Sequence, residues 1–159
     1  MGMDMTVPCD EGYLNIRVGA IIRKDGKLLM MGNDREDYYY SVGGRVRFGE
    51  SAEQAVAREV LEETGCRMEI DRLGFVHENY FYADSPDKLG KPVYELSFYF
   101  YMKVPENFKP VCDSLTENND REYLCWVSPE EPRRIFPEFF RTELDKPSSG
   151  VRHIFTDER

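Results

Sequence analysis

GRVRFGESAEQAVAREVLEETGC, residues 44–66, is the stretch on which the fold turns. Its second half reads as a helix over 51–64. Ser51 is a good N-cap, and Gln54 three residues later completes a capping box. Gly65 stands where a helix end needs a residue able to turn with positive φ. The residues between are mostly good helix formers. On that helix Glu59, Glu62 and Glu63 are spaced i, i+3, i+4 and share an arc of roughly 100°. Val56, Ala57, Val60 and Leu61 fall on a neighbouring face and can anchor the helix to a core. Like charges at these spacings repel by a few tenths of a kcal/mol per pair. A hard divalent cation removes that cost and takes the carboxylate oxygens as ligands. On spacing alone, an ordinary solvated acidic face is as good a reading.

Working outward, the chain on both sides reads mostly as strand. Residues 14–22 are apolar and β-branched, and Asp25-Gly26 before a partner run over 27–31 is a hairpin signal. A short strand over 38–42 leads into Gly43-Gly44. Beyond the helix, 68–82 and 93–104 read as a long antiparallel pair, with Tyr94, Leu96, Phe98 and Phe100 on one face. The sequence predicts a polar loop over 110–120 and a short strand over 122–127. It further predicts a helix over 129–144 interrupted near Pro137, and a last short strand over 152–155. The fold class is α/β (α+β), a mixed, largely antiparallel sheet with two or three helices.

The 159 residues fit one domain, 1–159, with no repeat and no convincing linker. The net charge of −9 argues against a nucleic-acid surface and against an anionic membrane as partner. A polyanionic substrate remains compatible if a divalent cation supplies positive charge locally. Cys9, Cys66, Cys112 and Cys125 form no C-x-x-C pair, and a chain of this size needs no disulfide staples. Reduced thiols, the absence of an apolar run long enough to cross a membrane and the lack of a signal-peptide pattern lead us to expect a cytoplasmic protein.

Gly44, Glu50, Arg58, Glu59, Glu62, Glu63 and Gly65 together match, by identity and spacing, G-x5-E-x7-R-E-U-x-E-E-x-G-U, where U is a bulky aliphatic residue. Seven fixed positions at about 7% frequency each make chance agreement on the order of 10⁻⁶ over the chain. The segment resembles the Nudix box, and the order of flanking strands extends the resemblance over roughly residues 17–131. Two positions depart from the pattern. Cys66 replaces the last aliphatic residue, and Val42 stands where many relatives have proline.

The resemblance implies an α/β/α sandwich and a MutT-like hydrolase. Such an enzyme would use Mg2+, with Mn2+ as a substitute, to cleave the pyrophosphate bond of a nucleoside diphosphate linked to another moiety. It implies metal ligation by Glu59, Glu62, Glu63 and the carbonyl of Gly44, with Arg58 and Glu50 as supporting partners. A general base in this family can lie outside the box. Asp120 and Glu122 are favoured by position, ahead of Glu117, Glu95 and Glu78. Arg17, Arg45 and Arg47 near the glycine loop could meet phosphates, though pairing with surface acids explains them equally well. The trios Tyr38-Tyr39-Tyr40 and Tyr80-Phe81-Tyr82 could stack on a base, with Tyr80 the favoured contact. His77 and His153 read as structural. Homodimers are common in the family. Two other readings share the fold. One is a nucleotide sensor without turnover, which usually lacks box glutamates. The other is an isoprenyl diphosphate isomerase, which needs a catalytic cysteine and a modified box.

Overall fold

β-branched and aromatic runs become strands wherever the sequence breaks them with turn residues. The computed structural model describes residues 2–110, 113–115 and 121–159. The first five strands are β1 (Thr6–Pro8), β2 (Tyr13–Ile21), β3 (Arg23–Lys24), β4 (Lys27–Asn33) and β5 (Tyr39–Arg45). Helix α1 (Ala52–Thr64) follows, then β6 (Glu69–Tyr82), β7 (Pro92–Lys103), β8 (Asp113–Leu115), β9 (Arg121–Val127) and β10 (Ile135–Phe136). Helix α2 (Phe140–Glu143) and β11 (Arg152–Asp157) complete the chain. Asp25 and Gly26, at φ 53° and 74°, close the expected hairpin.

The strands order as β11-β6-β7-β2-β5-β4-β9-β8. β2–β7 and β6–β11 are parallel, while β6–β7, β2–β5, β4–β5 and β4–β9 are antiparallel, which makes the sheet mixed and largely antiparallel, as expected. Alternation along the strands separates two cores. Val18, Ala20 and Val42 on one face meet Val56 and Val60 of α1. Ile21, Phe75 and Tyr99 on the other meet Ile135, Phe139 and Phe140. The sheet is thus covered by α1 on one side and by the α2 segment on the other.

Three readings of the sequence need correction. The helix expected over 129–144 is only the single turn of α2, preceded by β10, which pairs in parallel with β5. Pro129, Pro132 and Pro137 remove amide donors and restrict the residue before each. Burying Ile135 and Phe140 in the second core then decides the path. The loop expected over 110–120 contains β8, whose backbone pairs with β9. On α1 the anchoring face is Ala55, Val56, Val60 and Thr64, whereas Ala57 is exposed and Leu61 half-buried.

The face away from α1 carries an unusual polar floor. Asn79 of β6, Glu95 of β7 and Asn15 of β2 stand opposite one another, and His77, Ser97 and Arg17 form the neighbouring row. All of these but Arg17 are buried. His77 is only 3% exposed and lies edge-on to Phe139 at 5.0 Å. Burial, and secondarily the charge of His153, lower its pKa from 6.5 to about 4. The neutral ring is therefore part of the native state, and the unfolded chain binds more protons between pH 4 and 6.5. Stability from this residue is present above pH 6.5 and is lost as pH falls towards 4, by roughly 3 kcal/mol in all. We expect His77→Gln to flatten the fall in melting temperature between pH 6.5 and 4. An unchanged slope would remove His77 as its source.

Candidate active site

Helix α1 begins as its sequence demands. Ser51 accepts from the amide of Gln54 at 3.1 Å, and the Gln54 side chain accepts from the amide of Ser51 at 2.9 Å. Gly65 ends the helix at φ 74°, with its amide bonded to the carbonyl of Leu61. These caps fix the phase of α1, so that Glu59 and Glu63 point back along the chain to Gly43-Gly44. The space there exists because Gly44 has no side chain: a Cβ on it would lie 2.3 Å from Glu59 Oε1.

Arg58 organises the acids from behind. Its Nε donates to Glu50 Oε1 at 2.6 Å and its Nη2 to Glu50 Oε2 at 3.0 Å, the expected partnership. Nη1 donates to Glu59 Oε1 at 2.8 Å and to Glu62 Oε2 at 3.4 Å, and Nη2 also reaches the carbonyl of Arg45 at 3.1 Å. Glu50 further accepts from the amide of Arg47 at 2.9 Å. The guanidinium holds the Glu50 carboxyl down at about 2. Glu50 is thus a fixed anion that aims Arg58, and Arg58 in turn aims Glu59.

Glu59 and Glu63 behave oppositely to Glu50. Burial raises the pKa of Glu59 despite Arg58, and burial followed by the charge of Glu59 pushes Glu63 up to about 9. The two carboxyls share a hydrogen bond, and the charge of Glu122 adds to the load on Glu63. Half-buried oxygen donors that compete for a proton are what a hard divalent cation relieves. Glu59 and Glu63 therefore fit a cation by their chemistry, with exposed Glu62 beside them. Among the described residues no three His, Cys, Asp or Glu side chains converge closely enough to enclose an ion by themselves.

Next to this cluster lies a cavity of about 560 Å³. Tyr38, Tyr40, Phe81 and Tyr82 form aromatic walls, and Arg17 and Glu95 lie among the polar lining. Tyr40 ties the cavity to Glu122, the neighbour whose charge bears on Glu63: its hydroxyl donates to Glu122 Oε2 at 2.6 Å. Arg17 has no carboxylate within ion-pair distance among the described residues, which leaves its charge directed at the cavity.

The other expected site residues divide. Arg45 and Arg47 lie within ion-pair distance of Asp4, at 3.9 and 3.6 Å. Tyr80 does not line the cavity. Its ring packs against Tyr94 at 5.1 Å and under the Arg159 guanidinium at 4.4 Å, on the face opposite that of the next residue, Phe81, which lines the cavity with Tyr82 at the end of β6. Glu78 is also on that other face, accepting from Tyr94 and paired with His153. Glu117 and Asp120 lie outside the described residues. Sequence reasoning missed the Tyr40–Glu122 bond and the buried Asn15, Asn79 and Ser97. Polar residues at every second position of two long strands were the available signal.

A profile of the NUDIX domain matches residues 14–146. A MutT-like protein of Streptomyces ambofaciens is 41% identical over 61 residues, 38% of this chain and 40% of that relative, so the match spans less than half of the relative's length. YtkD of Bacillus subtilis (strain 168), which carries a provisional 8-oxo-dGTP diphosphatase name, is 32% identical over 117 residues, 67% of this chain and 70% of its own. The fold is also that of an ADP-ribose pyrophosphatase from Streptococcus suis, with a TM-score of 0.56 at 14% identity over 87% of this chain and 98% of the other. With the box geometry in place and the domain profile covering most of its length, the chain belongs to the NUDIX domain family.

Proposed function

We propose that the protein is a divalent-metal-dependent hydrolase that cleaves a phosphoanhydride bond in a nucleoside diphosphate linked to another moiety, by attack of water at phosphorus. The observation that carries this reading is the half-buried Glu59–Glu63 pair, set against Gly44 beside a cavity with aromatic walls. Glu59, Glu62 and Glu63, with the carbonyl of Gly44, would hold the cation, Mg2+ or in its place Mn2+. When bound, it would screen the phosphate oxygens and lower the pKa of a coordinated water. Arg58 and Glu50 keep the carboxylates aimed. Arg17 supplies a guanidinium to a phosphate oxygen. Glu122, held by Tyr40, is the described candidate for accepting a proton from the attacking water, and Asp120 is the alternative on sequence position.

The net charge of −9 supports a small-molecule partner over nucleic acid or an anionic membrane. No described helix is long and apolar enough to cross a membrane. The test is a hydrolysis screen with Mg2+ against nucleoside triphosphates, nucleotide sugars, ADP-ribose and dinucleoside polyphosphates, with products identified. We expect turnover of one class, abolished by chelator. Tight binding with no turnover of any member would replace this reading with that of a nucleotide sensor.

A further inference from the structure

The two ends of the sheet are finished differently. At one end β8 is only three residues long, a short edge of the kind that resists pairing with another chain. At the other, β11 runs for six residues without proline, lysine or bulge, and among the described residues no strand pairs with its outer side. Its inner side is firmly held. Thr156 Oγ1 lies 2.7 Å from both Asn79 Oδ1 and His77 Nε2, and the amide of Glu158 donates to the carbonyl of Tyr80 at 2.7 Å.

That last bond fixes which backbone groups are left over. Groups alternate in direction along a strand, so those of Ile154 and Thr156 also turn to β6, and those of His153, Phe155 and Asp157 turn outward. No other described element bonds to them through its backbone. The side chains of the same three residues share the sheet face that α1 packs on, since Ile154 and Thr156 point the other way. Helix α1 lies chiefly over β5 and β2 and leaves this end of the face open. Phe155 is 56% exposed, and Val76, Tyr80, Tyr94 and Leu96 are only half-buried. An unpaired edge beside an open aromatic face is a template for another strand.

The residues of the edge say which strand fits. A symmetric contact sets a strand antiparallel to its own copy about a two-fold axis. Outward groups must meet outward groups, and only an axis at Phe155 pairs all three with one another. That register sets Phe155 against Phe155 of the second copy and His153 against Asp157. Each opposed pair exchanges two N–H···O bonds. An aromatic pair and an imidazole–carboxylate pair are also favourable cross-strand neighbours. Moving the axis to Ile154 or Thr156 would set Phe155 against His153 or Asp157 instead.

We propose that two copies of this chain associate through β11, antiparallel about a two-fold axis at Phe155, so that their sheets become continuous. The inference does not rest on the hydrolase reading.

The test is sedimentation equilibrium of the full chain from about 5 to about 200 μM. The expected result is a rise from 18.6 kDa towards twice that mass. Phe155→Lys should weaken association at least about tenfold while melting within about 2 °C of wild type. Phe155→Pro should weaken it as much, because it removes an outward amide that pairing with β6 does not use. Phe48→Lys, at an exposed apolar residue of the box loop, should leave association unchanged. Phe155→Cys tests the register, since Cα atoms of a hydrogen-bonded antiparallel pair stand about 5.5 Å apart, within disulfide reach. With oxidised glutathione it should form a reducible covalent dimer beyond any that wild type forms, and Asp157→Cys should not. A wild type that stays at 18.6 kDa throughout overturns the proposal and leaves the edge to a strand of another protein. A dimer that survives both Phe155→Lys and Phe155→Pro overturns it by placing the contact elsewhere, and equal cross-linking through Asp157→Cys overturns the register.

Discussion

Glu63→Gln is expected to lower kcat by about 10²–10³-fold, equivalent to roughly 3–4 kcal/mol of transition-state stabilisation, and to leave the fold intact. Glu63 sits at the back of the site, half-buried, against Glu59 and under the charge of Glu122. An amide fits the same space but offers one neutral oxygen where a cation needs an anion. The thermodynamic signature separates this role from a structural one. Glu63 is raised from 4.5 to about 9 in the folded, metal-free protein. Its contribution to stability is fully present below pH 4.5 and is lost as pH rises through 9. At pH 8 without metal, the Gln variant should therefore melt above wild type, because it has no carboxyl to ionise. Added Mg2+ should raise the wild-type melting temperature and barely move the variant. A folded variant with near-normal turnover removes this metal-site assignment, and a variant that melts well below wild type without metal shows a packing role instead.

Glu63 is legible in the sequence because its setting is local. Helix phase, the capping box of Ser51 and Gln54, and the turn at Gly65 are decided within a few residues. The box acids inherit their direction from those. The pairing of Arg58 with Glu50 is legible for the same reason, since the loop between them has only one short way to turn. The cavity is not legible, because it depends on partners far apart in sequence: Arg17 of β2, Glu95 of β7, Tyr40 of β5 and Glu158 past β11. Tyr80 shows how narrow the margin is. One residue's step along β6 exchanges the cavity for the opposite face. The 129–144 segment departs from its expected helix for another reason. Its helical pattern is present, but three prolines and the burial of Ile135 and Phe140 outweigh propensity there.

Arg58→Met should lower stability substantially, and it should reduce activity without touching a proposed metal ligand. Methionine keeps most of the buried stem and removes the charge. Glu50 and Arg58 have side chains only 20% and 18% exposed, so loss of the guanidinium strands an anion that water reaches poorly. Breaking a pair in that setting costs about 2–3 kcal/mol, allowing for its partial exposure. For a chain of this size that corresponds to a melting temperature lower by roughly 5–10 °C. The Glu50 carboxyl, held at about 2 by the guanidinium, should return towards its ordinary value. Its folded pKa is depressed, so the stability it contributes is present above pH 4.5 and is lost as pH falls towards 2. The variant should therefore lose less stability than wild type over that acid window. Activity falls by a different route. Without Nη1 beside Glu59 and Glu62, the carboxylates keep their charges but lose their aim, and apparent Mg2+ affinity or kcat should drop about 10–100-fold. Arg58→Lys restores a charge but not the fork that reaches Glu50, Glu59 and the Arg45 carbonyl at once. Its melting temperature should recover further than its activity. Equal recovery of both would mean that charge alone, and not the directed bridge, is what Arg58 provides.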